Sequence, residues 1–465
     1  MESETDNEVN TLDDLIGGQE VDVGTDVPPT EDDGDDFDEE GGEDASMEVA
    51  PAEPALPPPA ADHSAQRLLA HTEPVFSVAV NAAHPEMLAT GGGDDVAHLW
   101  RLGTEAPAFR LEGHTDTVGA LAFSMDGSLL ATGGLDGTVR VWQANAGTLI
   151  GAPLEGPTQG INWVAWHPRG AVLLAGSEDA TAWMWKLPEG SVMQIFSAHS
   201  SSVACAAQFS RAQFSRAQFS PARNSPPRRI NLSPLSSLRY GGFANGGKQV
   251  ITASEDGTVR LWNPRAGTVD HCFDHGRGAG GEPPPPVSCL CAHAAHPVFL
   301  YGAVDGTLRL GHAESGRLLA HLASHEASVE AAGFCQPLPL AASGAMDGKL
   351  AIWDLNSFTL RHTCAHGAGV IELRWLRDSP LLVACTVSRE LRVWDARSGG
   401  CLATLLGHAD ACLCLELGYT AEGVFALSGS DDRTARVWRV PTEAAASAMP
   451  VDAAAAEGAN LCDED

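Results

Sequence analysis

A tryptophan that returns at nearly constant intervals constrains this chain more than any other feature. Four of the six intervals between these residues are 41 to 44 residues long, and the other two are 77 and 91. The positions are Trp100, Trp142, Trp185, Trp262, Trp353, Trp394 and Trp438. A fixed period of this kind is typical of a chain built from repeated structural units.

The two wider intervals each conceal a further unit. Residues 304–310 have the sequence of the other units, but Gly311 stands where the Trp is expected. The interval of 77 residues holds one unit and an insertion. The sequence therefore predicts eight units with a period of about 42 residues, which is the length of one four-stranded blade of a β-propeller.

Each unit consists of short apolar segments separated by tight turns. In the second unit, an alternating segment at residues 118–123 is followed by an apolar segment at 129–132 and by the turn Asp136-Gly137. A third segment then ends at Trp142. Short strands joined by Asp-Gly turns indicate antiparallel hairpins, so the predicted fold class is all-β.

The two ends of the repeat region complement each other. The last unit stops at residues 438–440 without an outer strand, whereas residues 66–70 resemble the outer strand of other units, such as residues 108–113. We therefore expect residues near 64–70 to complete the last blade, which would close the ring and remove exposed sheet edges. The predicted propeller spans residues 64–440.

Acidic residues are concentrated at the two ends of the chain, whose formal net charge is −33. Residues 1–66 contain 22 Asp or Glu and no Lys or Arg, and six more acids follow Val440 without a base. Such composition predicts a disordered acidic N-terminal tail at residues 1–63 and a disordered acidic C-terminal tail at 441–465. Repulsion of phosphate argues against direct binding of nucleic acid and favours a basic protein partner, or simply solubility.

Composition also bears on location and cofactors. The chain has no apolar leader near Met1 and no run of about 18 apolar residues, which argues against secretion and a membrane span. Its 11 cysteines include no Cys-x-x-Cys pair and are interpreted as buried apolar residues, as expected in the cytoplasm, with the nucleus as an alternative. No catalytic or metal-ligand pattern stands out, so we expect no enzyme activity, no cofactor and no metal.

Two segments interrupt the repeat. Residues 211–247 are predicted to be an insertion between the first and second strands of blade 4, and residues 276–287 a loop insertion in blade 5. The first insertion contains several Arg residues and three Ser-Pro steps. Two interpretations stay open, namely a basic loop that is phosphorylated and a functionally neutral insertion or error in the coding sequence.

The internal motifs resemble those of WD-repeat proteins, so the chain is predicted to be an eight-bladed WD-repeat β-propeller. In that family a His, a Ser or Thr, an Asp and a Trp form a hydrogen-bonded tetrad in each blade, whose polar groups satisfy one another. Five units have the full set, with the Asp four residues after the hydroxyl residue and six before the Trp. The predicted tetrads are His71, Thr90, Asp94 and Trp100; His114, Thr132, Asp136 and Trp142; His199, Thr252, Asp256 and Trp262; His325, Ser343, Asp347 and Trp353; and His408, Ser428, Asp432 and Trp438.

Three units depart from this pattern. The third has Ala175 in place of the hydroxyl residue, the fifth has Gly311 in place of the Trp, and the seventh has Ser388 in place of the Asp. We expect these blades to be held less tightly.

Acidic residues lie beside the blade His or the turn Asp in most units. They are Glu73, Asp95, Asp116, Glu178, Glu255, Glu326, Asp410 and Asp431. Because the His loop and the Asp turn share one face of a propeller, these carboxylates predict an acidic rim that attracts a basic peptide. The alternative is that acids at these positions are ordinary repeat composition.

Several segments outside the repeat motifs also resemble one particular family. Residues 166–169, 183–186, 333–335 and 359–362 are similar to the acidic-tailed angio-associated migratory cell proteins. Animal members are linked to cell migration and small-GTPase signalling, and a related fungal protein is a chaperone for the basic N-terminus of a large-subunit ribosomal protein. The resemblance implies a monomeric, non-enzymatic chaperone or escort of a ribosomal protein. A signalling adaptor and a ubiquitin-ligase or histone-binding adaptor are the alternatives.

Overall fold

The structure, a computed structural model, describes Pro59 and residues 61–199, 238–276 and 283–442. In these residues, 32 strands form eight antiparallel sheets of four strands each. The eight predicted blades are therefore present, including the one without its Trp. No helix in the described part of the chain is long and apolar enough to span a membrane.

The first blade shows how the sequence pattern produces the architecture. Its strands are β2 (Val75–Val80), β3 (Met87–Gly92), β4 (Ala97–Arg101) and β5 (Phe109–Leu111). Buried and half-buried residues alternate along β2, whereas every residue of β3 is buried. The innermost strand therefore has one covered face, and the second strand is packed on both faces by neighbouring blades.

The next three blades repeat this order. Blade 2 contains β6 (Val118–Phe123), β7 (Leu129–Gly134), β8 (Val139–Gln143) and β9 (Thr148–Leu149). Blade 3 contains β10 (Ile161–Trp166), β11 (Val172–Ser177), β12 (Ala182–Lys186) and β13 (Ser191–Phe196). Blade 4 contains β14 (Leu238–Ala244), a 3-10 turn at Asn245–Gly247, β15 (Gln249–Ser254), β16 (Thr258–Trp262) and β17 (Val269–Asp274).

Blades 5 to 7 also have four consecutive strands each. Blade 5 contains β18 (Val287–Ala292), β19 (Val298–Ala303), β20 (Thr307–His312) and β21 (Arg317–Ala323). Blade 6 contains β22 (Val329–Phe334), β23 (Leu340–Ala345), β24 (Lys349–Asp354) and β25 (Thr359–Ala365). Blade 7 contains β26 (Val370–Trp375), β27 (Leu381–Thr386), β28 (Glu390–Asp395) and β29 (Gly400–Leu406).

The last blade combines the two ends of the repeat region. Its strands β30 (Cys412–Thr420), β31 (Gly423–Ser430) and β32 (Ala435–Arg439) are completed by β1 (Gln66–Leu68), which pairs antiparallel with β32. Innermost strand β2 also packs against β30. The ring therefore closes as the sequence predicts.

The propeller begins slightly earlier than the predicted boundary at residue 64. Arg436 Nη1 donates a hydrogen bond to Asp62 Oδ2 at 2.7 Å, and His63 N donates to Leu406 O at 2.7 Å. Asp62 is therefore fixed to blade 8 and His63 to the outer strand of blade 7, so neither residue belongs to the predicted N-terminal tail.

Both predicted insertions need correction at their C-terminal ends. Residues 238–247 form innermost strand β14 and its turn, so the insertion in blade 4 precedes the first strand and does not follow it. The sequence that follows His199 contains an apolar segment resembling that strand, which is why the predicted position of the insertion was wrong. The rest of the predicted insertion, residues 211–237, lies outside the described residues. In blade 5, Val287 already belongs to β18.

The core is divided among the interfaces between neighbouring blades. At the interface of blades 8 and 1, the side chains of Leu68, Leu88, Trp100 and Leu427 are fully buried. Burial of one such side chain stabilises the fold by about 1.5–3 kcal/mol. Leu68 lies on β1, so the closing strand contributes directly to this core.

Candidate functional site

The five predicted tetrads are assembled in the structure. In blade 1, Trp100 Nε1 donates to Thr90 Oγ1 at 2.9 Å, and Thr90 Oγ1 lies 2.8 Å from His71 Nε2. The other ring nitrogen, His71 Nδ1, lies 2.9 Å from Asp94 Oδ1. Asp94 also accepts a hydrogen bond from Thr72 N, which fixes the loop after the His to the turn between the second and third strands.

The remaining four tetrads have the same connections. Their Trp Nε1 atoms donate to the hydroxyl at 3.0, 2.8, 3.0 and 2.8 Å in blades 2, 4, 6 and 8. In blade 8 burial lowers the pKa of His408 and outweighs the opposing effect of Asp432. Burial opposes ionisation of Asp432, but the hydrogen bond from His408 lowers its pKa well below the usual range. The tetrad of blade 8 is therefore a neutral His held by a carboxylate.

The three departing blades replace the tetrad in different ways. In blade 3, Thr158 N donates to Asp179 Oδ2 at 2.8 Å, so the turn still holds the loop without a His. In blade 5 the ring of Phe299 occupies the space left by Gly311, because a Cβ there would lie 2.3 Å from Phe299 Cζ. In blade 7, Trp394 Nε1 donates directly to His366 Nε2 at 2.8 Å.

Two histidines in these blades were not predicted. His275 Nε2 lies 2.7 Å from Thr307 Oγ1 in blade 5, and His366 contacts Trp394 in blade 7. His366 precedes Ser388 by 22 residues, the same interval that separates His114 from Asp136. That interval could have identified His366, whereas the inserted loop before blade 5 lengthens the corresponding interval for His275.

One backbone hydrogen bond recurs on the face that carries the tetrad loops. The residue before the turn Asp donates its N–H to the loop that precedes the innermost strand, as Glu178 N does to Gly160 O at 2.9 Å and Asp431 N to Ala411 O at 3.0 Å. We call the eight residues at this position the turn ring; they are Gly93, Leu135, Glu178, Glu255, Val304, Met346, Val387 and Asp431. Seven of them make this bond in the described part of the chain.

Charge is unevenly distributed around the turn ring. The predicted rim acids of blades 8 and 1 to 4 follow one another without interruption, and we call them the acidic arc; they are Asp410, Asp431, Glu73, Asp95, Asp116, Glu178 and Glu255. The ring residues of blades 5 to 7 are Val304, Met346 and Val387, which we call the apolar arc. Val304 is 46% exposed.

The eighth predicted rim acid differs from the others. Glu326 belongs to blade 6, beside the apolar arc, and its Oε1 lies 3.2 Å from Lys349 Nζ. This ion pair is open to solvent, because the Glu326 side chain is 82% exposed. The sequence predicted an acidic rim of eight residues, and the structure places seven of them in the acidic arc and Glu326 beside the apolar arc.

Repulsion within the acidic arc is visible at Glu178. Burial raises the pKa of Glu178, and the neighbouring charges of Glu255 and Asp116 raise it further. These three residues come from adjacent blades, so the turns bring acids together that are distant in sequence. A cation bound here would relieve the repulsion.

The fold and the repeated turn geometry define a class of protein. The family model "WD domain, G-beta repeat" matches seven segments of the chain, namely residues 63–101, 106–143, 147–186, 231–263, 316–354, 358–395 and 399–439. This chain belongs to the WD-repeat family. The unmatched stretch between residues 264 and 315 contains most of blade 5, where Gly311 replaces the Trp.

Within that family the chain is similar to proteins of animals and fungi. It is 30% identical to the human (Homo sapiens) angio-associated migratory cell protein over 394 residues, which cover 82% of this chain and 80% of that protein. It is 34% identical to an uncharacterized WD repeat-containing protein of Schizosaccharomyces pombe over 378 residues, 80% of this chain and 85% of that protein.

Solved structures with the same fold include a fungal protein in complex with a partner. Chaetomium thermophilum Sqt1, bound to the N-terminus of the ribosomal protein L10, superposes with a TM-score of 0.67 at 21% identity, covering 82% of this chain and all of the other. Sqt1 of Saccharomyces cerevisiae gives a TM-score of 0.68 at 20% identity, again over 82% of this chain and all of the other. At this identity the likeness shows the fold alone.

Proposed function

We propose that this WD-repeat scaffold is a non-enzymatic escort that holds a basic segment of a ribosomal protein on its turn ring during assembly of the large subunit. The acidic arc is the observation that carries the proposal. Five adjacent blades present seven carboxylates there, and the pKa of Glu178 is raised by burial and by its acidic neighbours. Such a surface recruits a cationic chain by long-range attraction and repels phosphate.

The apolar arc adds specificity to this attraction. Val304 is exposed, and Met346 and Val387 are half-buried on the same ring. A bound segment that combines basic residues with an apolar side chain would cover both arcs at once. Apolar contact slows dissociation, whereas charge mainly accelerates association.

The comparison with Sqt1 supports the choice of partner class. A protein of the same fold has been solved with the N-terminus of a ribosomal protein, which supports a segment of a ribosomal protein as the partner. The proposal includes the cytoplasm as the site of action and a monomeric protein that does not contact nucleic acid directly.

A triple charge reversal tests the proposal. Glu178→Lys, Glu255→Lys and Asp431→Lys together should abolish capture of the ribosomal protein, because three repulsive charges replace three attractive ones. The control variant carries Glu105→Lys, Glu189→Lys and Glu422→Lys, which change net charge equally at exposed positions away from the turn ring. Pull-down from the protein's own cells measures both. Equal capture by the two variants would contradict the proposed site.

A second candidate function is a signalling, ubiquitin-ligase or histone-binding adaptor. It is favoured by apolar side chains exposed along the outer strands of blades 3, 5 and 6, which are Val192, Ile195, Leu318, Leu319 and Leu360. Partners bound to these strands would be insensitive to the triple reversal. Depletion of the protein would then leave the pool of free large subunits unchanged, whereas the escort function requires that pool to fall.

A further inference from the structure

Among the described residues, blade 1 alone carries a cluster of three His and Asp side chains whose ligand atoms lie close together. His71, Asp94 and His98 each offer a ligand atom, and these atoms all lie within 4.8 Å of one another. The rings of His71 and His98 meet edge to face with centroids 4.7 Å apart. His98 stands opposite Thr90 in the pairing of β3 with β4, so the sheet register itself brings it to the tetrad.

The position of His98 holds an arginine in most other blades. Arg140, Arg260, Arg309, Arg392 and Arg436 occupy it in blades 2, 4, 5, 7 and 8. Three of them donate to the backbone at or directly before the blade His, as Arg140 Nη2 does to Gly113 O at 2.7 Å. His98 is too short for this contact. Its side chain is 3% exposed, and its Nδ1 atom has no hydrogen-bond partner among the described residues.

A second substitution removes a competitor for the carboxylate. In blades 2, 4, 5 and 8 a Thr two residues after the turn Asp donates its hydroxyl to that Asp, as Thr138 does to Asp136 at 2.9 Å. Blade 1 has buried Val96 at this position. Asp94 therefore lacks the hydroxyl donor that its counterparts have, while its side chain is only 11% exposed.

We propose that His71, Asp94 and His98 bind one divalent transition-metal ion of the zinc class, a role that goes beyond partner binding. Two imidazoles and a carboxylate are preferred ligands of such ions, and a water can supply the fourth position. Ligand atoms about 2.0–2.1 Å from a tetrahedral metal lie about 3.3 Å apart. His71 Nδ1 and Asp94 Oδ1 are 2.9 Å apart, so the distance between these two atoms would increase slightly when the ion binds. The ligand atom of His98 would move closer to them by on the order of 1.5 Å.

Binding is compatible with the rest of the tetrad. The ion takes the lone pair of His71 Nδ1, so the ring proton moves to Nε2 and is donated to Thr90 Oγ1. That oxygen has two lone pairs and can accept from both His71 and Trp100, while the proton of the Thr90 hydroxyl loses His71 Nε2 as its acceptor. His71 follows β1 directly, so the ion would fasten the closing strand to blade 1.

Cobalt binding to the purified full-length protein tests the site. Co²⁺ titrated into the protein should give visible absorption bands of a low-symmetry site with one equivalent bound, and Zn²⁺ should displace it and raise the melting temperature. The variant His98→Arg restores the residue of five other blades and should weaken binding by at least tenfold. Val96→Thr, which returns the competing hydroxyl, should weaken it as well.

The tails are identical in all variants, so weak binding by their carboxylates cancels in the comparison. Equal Co²⁺ affinity of the original protein and a folded His98→Arg variant, or absence of the absorption bands in the original protein, would overturn the proposal. Capture of the ribosomal protein is measured separately and does not depend on this outcome.

Discussion

Single residues decide how the turn ring balances stability against binding. Glu178 is the clearest case, because its carboxylate is partly buried and faces the charges of Glu255 and Asp116. Ionisation of a group whose pKa is raised in the folded state costs stability, and functional sites commonly retain such costs. The ionised carboxylate of Glu178 therefore lowers the stability of the fold, and we propose that a cationic partner binds this charge.

Replacement of Glu178 by Gln should separate these two effects. The raised pKa means that stability from this group is present at acidic pH and lost as pH rises through the folded-state pKa. Near pH 7, Glu178→Gln should thus stabilise the free protein by up to about 1 kcal/mol while it weakens capture of the basic partner. Urea unfolding at pH 7 and pH 4 measures the first effect, and the gain should vanish at the lower pH. A stability loss at pH 7 would contradict this account.

The residue scale also shows where prediction from sequence succeeds. The five tetrads follow from a fixed spacing, because the Asp and Trp lie on one hairpin whose geometry allows little variation. His366 was missed because blade 7 has Ala384 at the tetrad position of the Ser or Thr, so that His366 and Trp394 are joined directly. The cluster of His71, Asp94 and His98 was also missed, because His71 is distant in sequence and strand pairing brings His98 to the tetrad.

Among the elements, the closing strand β1 contributes more to the fold than its short length would suggest. It supplies three residues to blade 8, yet it buries Leu68 completely and leads directly into the tetrad His71. Asp62 adds an ion pair with Arg436 just before the strand. Without β1, the edge of β32 would be exposed and the ring would lose its connection between first and last blades.

Truncation tests this role directly. Deletion of residues 1–70 should destabilise the protein by on the order of 2–5 kcal/mol, because the cavity left by Leu68 adds to the loss of strand pairing. Deletion of residues 1–58 is the matched control and should leave the melting temperature unchanged. Thermal unfolding of both variants measures the difference. Equal melting temperatures would show that β1 does not close the ring in solution.

The element scale also explains the error in blade 4. The residues after His199 are apolar and alternate like an innermost strand, whereas the actual strand β14 contains two adjacent glycines, Gly241 and Gly242. Local composition cannot distinguish these candidates. The choice depends on which segment pairs with β15, and that pairing is a tertiary contact.

For the whole molecule, the distribution of charge is the property that relates fold to function. The N-terminal 66 residues hold 22 acids, and the face that carries the turn ring adds the acidic arc, whose carboxylates come from five of the eight blades. The repeat count and the face of the rim were predictable because every blade has the same internal order. The division into acidic and apolar arcs was not, because it requires knowledge of which blades are adjacent and which single ring position faces the partner.

The most direct test of the central claim is to identify what the full-length protein binds in its own cells. Tagged protein is purified at low and at moderate salt, and the co-eluting proteins are identified by mass spectrometry. The account predicts one abundant basic ribosomal protein that is lost as salt rises, because screening weakens attraction to the acidic arc. Signalling or ligase components at both salt concentrations, with no ribosomal protein above background, would contradict it.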